Sequence, residues 1–192
     1  MHGEVKMKKG TRIGWLLVAL SIVLSVWVIT SQHSEANQTT TDGFELSDDG
    51  TELISYAGSG GSITIPSTVT TIDAGVFSDD TTITGVTLSS ATTSLGEGAF
   101  AGCTALSGVS LGNITAIRAN TFYGCTSLSS VTIPSTVTSI GYRAFYNTSM
   151  SGITIPSSVT SIDLKAFEES KNLTNIAVSS GNSTYSSVDG CV

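Results

Sequence analysis

Acid–base or covalent chemistry in this chain would have to come from few side chains. Its two histidines, His2 and His33, and its two tryptophans, Trp15 and Trp27, all fall within the first 36 residues. Beyond them the absence of imidazole removes Ser-His-Asp and Cys-His nucleophilic catalysis and histidine-ligated zinc, because each needs that ring as base or ligand. Adjacent carboxylates, which general acid–base hydrolysis uses in pairs, occur at Asp48-Asp49, Asp79-Asp80 and Glu168-Glu169. All three pairs fall in turns or loops, where solvated charge explains them. There is no Gly-x-x-x-x-Gly-Lys phosphate loop and no twelve-residue calcium loop. The expectation is a protein with no catalytic residue, no metal ligand and no cofactor. Binding is a different matter, because hot spots favour Trp, Tyr and Arg. Arg118, Tyr123, Tyr142, Arg143 and Tyr146 are therefore the candidate protein-binding residues.

What must position those residues is a repeat. Ile63, Val86, Val109, Val131, Ile153 and Ile176 recur at steps of 23, 23, 22, 22 and 23. Two further columns keep register with them: Ile72, Leu95, Ile117, Ile140 and Ile162, and the aromatics Phe77, Phe100, Phe122, Phe145 and Phe167. A fixed period in this range marks a solenoid, in which each coil buries its apolar side only against its neighbours. Val131-Thr132-Ile133 alternates like a strand, and Pro134, which lacks an N–H, ends it. A second short strand is expected near residues 138–140, then a single helical turn at 141–145 that drops Phe145 into the core. Thr70, Thr93, Thr115, Thr138 and Thr160 form a column whose hydroxyls are expected to bond backbone groups. Thr64, Thr87, Ser110, Thr132 and Thr154 form a second column, facing outward from the first strands.

Cys103 and Cys125 each follow the repeat phenylalanine by three positions, so they stack about 5 Å apart, one coil from the next. Equivalent positions point the same way, which favours buried free thiols over a bridge. Cys191 stands alone near the end.

The repeat fills only part of the chain. Lys6, Lys8, Lys9 and Arg12 precede an uncharged apolar run at 13–30, and Ser34-Glu35-Ala36 comes after it as a small-x-small cleavage pattern. Residues 1–36 are thus read as a signal peptide or an uncleaved anchor, and the rest of the chain as exported. Residues 37–61 read as linker and hairpin cap around an Asp-Gly turn, 62–175 as five repeats, and 176–192 as the start of a sixth coil or a cap, cut short. After residue 36 four cations face 13 carboxylates, a net of −9. That balance argues against nucleic acid and anionic membrane surfaces as partners, leaving membrane contact to the N-terminal segment.

A coil written Val131-Thr132-Ile133-Pro134-Ser135-Thr136-Val137-Thr138-Ser139-Ile140-Gly141, then Ala144-Phe145, resembles the BspA-like leucine-rich repeat family, and residues 153–167 repeat the match. The resemblance implies a right-handed solenoid, α/β but mostly β, of about five coils with parallel strands, short helical turns and an N-terminal β-hairpin cap. It further implies a bacterial or protist cell surface, with extracellular proteins or glycans as partners. The expected function is a secreted or surface-anchored, non-enzymatic adhesin. The alternative is the targeting region of a larger surface enzyme, and ice or mineral binding by the threonine face is a minor one.

Overall fold

The computed structural model describes residues 37–187. The apolar run at 13–30, Cys191 and the end of the final segment lie outside them. Among the described residues no helix is long and apolar enough to cross a membrane.

The first strands are β1 (Gln38–Thr39), β2 (Phe44–Leu46) and β3 (Glu52–Tyr56), paired antiparallel in that order. Asp49 closes the turn between β2 and β3. Its Oδ1 accepts from Ser47 Oγ at 2.7 Å, Thr51 N at 3.0 Å and Thr51 Oγ1 at 2.7 Å, an Asx-type turn. Those bonds, the Ser47 one foremost, hold its carboxyl below the ordinary range.

The subsequent strands come in pairs: β4 (Gly61–Thr64) with β5 (Thr71–Ile72), β6 (Ile83–Thr87) with β7 (Ser94–Leu95), and β8 (Gly108–Ser110) with β9 (Ala116–Ile117). Then come β10 (Ser139–Ile140) alone, β11 (Gly152–Ile155) with β12 (Ser161–Ile162), and β13 (Asn175–Val178). Matching strands of successive coils pair in parallel, Ile63 with Val86, Val86 with Val109, Ile153 with Ile176. The paired residues of this repeat column are each separated by 23 residues, and neither 22-residue step of the column is paired. The second set breaks at its own short step between Leu95 and Ile117, where the corner after Val109 has lost a residue. Ile140 and Ile162 are also 22 apart yet stay paired, since the residue missing there falls before Ile153, away from that corner.

The strand expected at Val131-Thr132-Ile133 does not form, and two further sequence expectations need correction. The coils number six, not five, because β3 is itself a rung: Leu53 pairs in parallel with Ile72, and Tyr56 sits 5.3 Å from Phe77 in the aromatic column. Leu53 precedes Ile72 by only 19 positions and a tyrosine stands in for the phenylalanine, so the period hides it.

The second correction concerns the helical turn at 141–145. Among the described residues there is no helix; each such segment is a pair of overlapping tight turns. Tyr123 N donates to Asn120 O and Cys125 N to Phe122 O, the i+3 to i pattern of turns. The intervening N–H groups point to the next coil: Asn120 N to Tyr142 O, Phe122 N to Ala144 O and Gly124 N to Tyr146 O, at 2.8 to 2.9 Å. A helix would keep all of these bonds within itself. Positive-φ residues lie two before four of the five repeat phenylalanines (Gly75, Gly98, Asn120 and Arg143, with Lys165 before Phe167 the exception) and two after all five (Asp79, Gly102, Gly124, Asn147 and Glu169), and they turn the N–H groups outward.

Phe77, Phe100, Phe122 and Phe145 are fully buried and stack at 5.0, 5.6 and 5.4 Å, and Phe167 continues the stack 5.6 Å from Phe145. Cys103 and Cys125 are free and buried. Their thiols point the same way, each toward the preceding coil, Cys103 Sγ donating to Phe77 O at 2.9 Å and Cys125 Sγ to Phe100 O at 3.1 Å. Ser170 Oγ makes the equivalent bond to Phe145 O at 2.6 Å, so the position calls for a small donor and not for a disulfide.

Candidate functional site

Each coil leaves two outward positions on the turn segment, three residues before the phenylalanine and one after it. The first holds Ala74, Glu97, Ala119, Tyr142 and Leu164; the second holds Ser78, Ala101, Tyr123, Tyr146 and Glu168. Neither position feeds the core, so side chains here are free to differ from coil to coil.

Four of the five candidate residues meet on this ridge. Tyr123 and Tyr146 stack with centroids 4.6 Å apart and planes 7° from parallel, as the coil spacing dictates for one column. The Arg143 guanidinium lies 5.0 Å from the Tyr146 centroid and 5.1 Å from that of Tyr142, within cation–π range of both. Arg143 Nε also donates to Glu168 Oε2 at 3.2 Å, and Lys165 Nζ stands 3.8 Å from Glu168 Oε1. Desolvation works against the guanidinium's charge, but the Glu168 hydrogen bond and the surrounding groups outweigh it and move its pKa upward. Tyr123 and Tyr142 remain 37% and 39% exposed, which leaves ring area for a partner.

Arg118 does not join them. It is exposed one residue after Ile117, and its contribution is a backbone carbonyl that accepts from Thr121 Oγ1 at 2.8 Å.

Arg143 carries a backbone cost. Its φ is 51°, where the same column has Gly75, Gly98 and Asn120, residue types that enter this region readily. Arginine there costs roughly 1 kcal/mol or more.

The other polar groups have structural work. Asp80 Oδ1 accepts from Thr82 N at 2.8 Å, Thr82 Oγ1 at 2.6 Å and Ile83 N at 3.2 Å. Glu169 pairs with Lys171 at 3.1 Å. The threonine column forms a ladder, Thr138 Oγ1 donating to Thr115 O at 3.2 Å and Thr160 Oγ1 to Thr138 O at 3.4 Å. The outward column of Thr64, Thr87, Ser110, Thr132 and Thr154 is exposed, with Thr132 outside any strand and the others on strands that do not form one continuous sheet. No group of three or more His, Cys, Asp and Glu among the described residues is placed to hold a metal ion.

Sequence reasoning missed Leu164, which is fully exposed in the Tyr142 column, and Glu97 and Ala101. A comparison of coils within the chain finds all three, since they sit at the two positions whose side chains change most.

A family model described as a BspA type leucine rich repeat region matches residues 53–174 in six copies. Among solved structures, the chain is similar to a leucine rich cell surface protein from Faecalibacterium prausnitzii, with 32% identity and a TM-score of 0.70, over 81% of this chain and 44% of that one. It is similar to a leucine rich repeat protein of T. pallidum, with 27% identity and a TM-score of 0.67, over 72% of this chain and 70% of that one. A leucine-rich repeat protein from Bacteroides ovatus matches with 27% identity and a TM-score of 0.60, over 74% of this chain and 38% of that one. The chain thus spans less than half the length of two of these three proteins. No curated protein sequence matches it.

Proposed function

The chain belongs to the BspA-type leucine-rich repeat family, and from that premise we propose that it is a non-enzymatic, secreted or surface-anchored adhesin that binds an extracellular protein through its turn ridge. The observation that carries this reading is the cluster of Tyr123, Tyr142, Arg143 and Tyr146. Stacking and ion pairing fix these side chains before a partner arrives, so little rotamer entropy remains to be lost on binding. The strained φ of Arg143 supports the same conclusion, since strain is kept where the side chain is needed. The similar cell surface protein of Faecalibacterium prausnitzii supports the surface setting.

The test is a solid-phase assay of the full chain against a panel of extracellular matrix proteins, comparing wild type with Arg143→Ala and Tyr142→Ala. Loss of a hot-spot side chain is worth about 2 kcal/mol or more, roughly a thirtyfold drop in affinity. Binding that both variants leave unchanged refutes the ridge as the interface.

A further inference from the structure

The column one residue after each phenylalanine reads Ser78, Ala101, Tyr123, Tyr146 and Glu168 along successive coils. Tyr146 covers one face of Tyr123. The other face looks along the column to Ala101 and then Ser78, where the stack of rings stops. Two missing rings at a coil spacing of about 5 Å leave an opening roughly 10 Å long. The structure has an open groove there of about 600 Å³, bordered by Tyr123, Ala101, Ser78, Glu97 and Asn120, with Arg143 at its ridge end.

Arg143 is already paired with Glu168, and the other polar borders of this groove are unengaged. The side chains of Ser78, Glu97 and Asn120 form no hydrogen bond and no ion pair among the described residues. Elsewhere the same residue types are used within the fold: Asn113 Nδ2 donates to Ser90 O, Ser170 Oγ to Phe145 O, and Glu168 pairs with Arg143. A free aromatic face flanked by three idle polar side chains selects among ligands. An aromatic or aliphatic side chain of a partner would fill the space but desolvate those groups without pairing them. An anionic ligand would meet Glu97, and the nearest cation, Arg143, is held by Glu168. A neutral sugar satisfies both requirements. Its ring presents weakly positive C–H groups to the negative face of the tyrosine, and its hydroxyls both donate and accept.

We infer that this groove binds one neutral hexopyranose unit of a surface polysaccharide, with the C–H face of the sugar on Tyr123 and its hydroxyls on Glu97, Asn120 and Ser78. The site adjoins the protein-binding ridge proposed above and shares Tyr123 and Arg143 with it, but it uses the face of Tyr123 turned away from Tyr146.

The experiment is ligand-observed saturation-transfer NMR on the full chain with the methyl glycosides of β-glucose, β-galactose, α-mannose and β-N-acetylglucosamine. At least one glycoside is expected to bind, with Kd of about 1 to 10 mM as suits an open groove, and to be saturated most strongly at its ring C–H protons. Tyr123→Ala should weaken binding at least tenfold. Ala101→Tyr should do the same by a different route, since it places a further ring on the existing stack and fills the opening. That second variant should unfold no earlier than wild type, so its loss of binding cannot be ascribed to misfolding. The inference is overturned if no glycoside binds at about 50 mM, a range that would reveal affinities far weaker than expected. It is equally overturned if Ala101→Tyr binds sugar as wild type does, or if phenylalanine amide binds where the glycosides do not. Ala101→Tyr leaves Tyr142 and Arg143 in place, so matrix-protein binding that survives in it shows that the two sites fail or succeed independently.

Discussion

Phe122→Ala should be more damaging than the same change at the end of the aromatic column, and it should also alter how the array unfolds. Phe122 is fully buried and stacked on both faces, 5.6 Å from Phe100 and 5.4 Å from Phe145. Truncating a buried phenylalanine costs about 3 to 5 kcal/mol. Two lost ring contacts at roughly 0.5 to 1.5 kcal/mol each place this site toward and just beyond the upper end of that range, about 4 to 6 kcal/mol. Phe167 is only partly buried and stacks on Phe145, so its truncation should cost about 2 to 3 kcal/mol. The coil that carries Phe122 also has one ladder interrupted on each side, between β7 and β9 toward the preceding coil and after β8 toward the following one. Fewer ladder bonds hold the two halves together there, so the ring stack and the turn-to-turn hydrogen bonds carry more of the coupling. Repeat arrays unfold as one unit only while neighbouring coils remain coupled. The assay is urea unfolding followed by circular dichroism. With a slope of about 2 kcal/mol/M, the midpoint should fall by about 2 to 3 M for Phe122→Ala, and the apparent slope should drop as the halves separate. Equal midpoint shifts for the two variants, with the slope unchanged, would refute the claim that the stack couples the halves.

Arg143→Gly relieves the positive φ while removing the Glu168 pair and the ring contacts, so its unfolding free energy should stay within about 1 kcal/mol of wild type. Arg143→Val, β-branched at the same φ, should lose about 2 kcal/mol by urea titration. Gly96→Ala should destabilise by about 2 to 3 kcal/mol, because the added Cβ would collide with the backbone of Asp73 and Ala74 in the preceding coil; a midpoint equal to wild type counts against that packing. Burial foremost, then the nearby Asp80 charge, pushes the Cys103 thiol up to about 12, and burial pushes that of Cys125 up as well. Both raised values favour the protonated fold, so this stability is fully present below the unfolded thiol pKa of about 8.5 and is lost as pH rises from there toward 12. The native thiols should therefore resist a disulfide reagent at pH 8 and react on unfolding; rapid reaction of both in the folded protein would contradict their burial.

How far the sequence could be read depended on whether a residue faces the core. The columns of Ile72, Leu95, Ile117 and Ile140 and of Phe77, Phe100, Phe122 and Phe145 were legible because burial makes every coil repeat the same residue type. The first rung was not, since the stretch from Leu53 to Ile63 is shorter than its counterpart from Ile72 to Val86 and carries a tyrosine in place of the phenylalanine. The turn segments misled for another reason. Gly141-Tyr142-Arg143-Ala144-Phe145 suggests a helical turn when only i+3 and i+4 spacing is considered, and nothing in Arg143 itself announces a positive φ. Aligning the coils does announce it, through Gly75, Gly98 and Asn120 in the same column. The ridge cluster was legible as residue types, but the separation of Arg118 from the rest needed coordinates, since it belongs to the corner after Ile117 and not to the outward columns.

The fold assigns structural duty and chemical freedom to alternate positions of one short segment. In residues 141–147 the backbone at Arg143 and Asn147 must turn through positive φ, and Phe145 must stay a ring of fixed size. Tyr142 and Tyr146 carry no such demand, and their counterparts elsewhere are Ala, Glu and Leu in one column and Ser, Ala, Tyr and Glu in the other. Side chains at these two positions share a surface at about 5 Å intervals, so changing one residue per coil rewrites the surface without touching the core. Arg143 departs from the three preceding coils, which hold Gly75, Gly98 and Asn120 there, by placing a long charged side chain on a positive-φ position, and it bridges the rings of both columns. A substitution series there separates the two duties. Arg143→Gly should preserve folding and abolish ridge binding, whereas a ridge that binds equally well with glycine at this position would mean that the backbone geometry, and not the guanidinium, is what the fold retains.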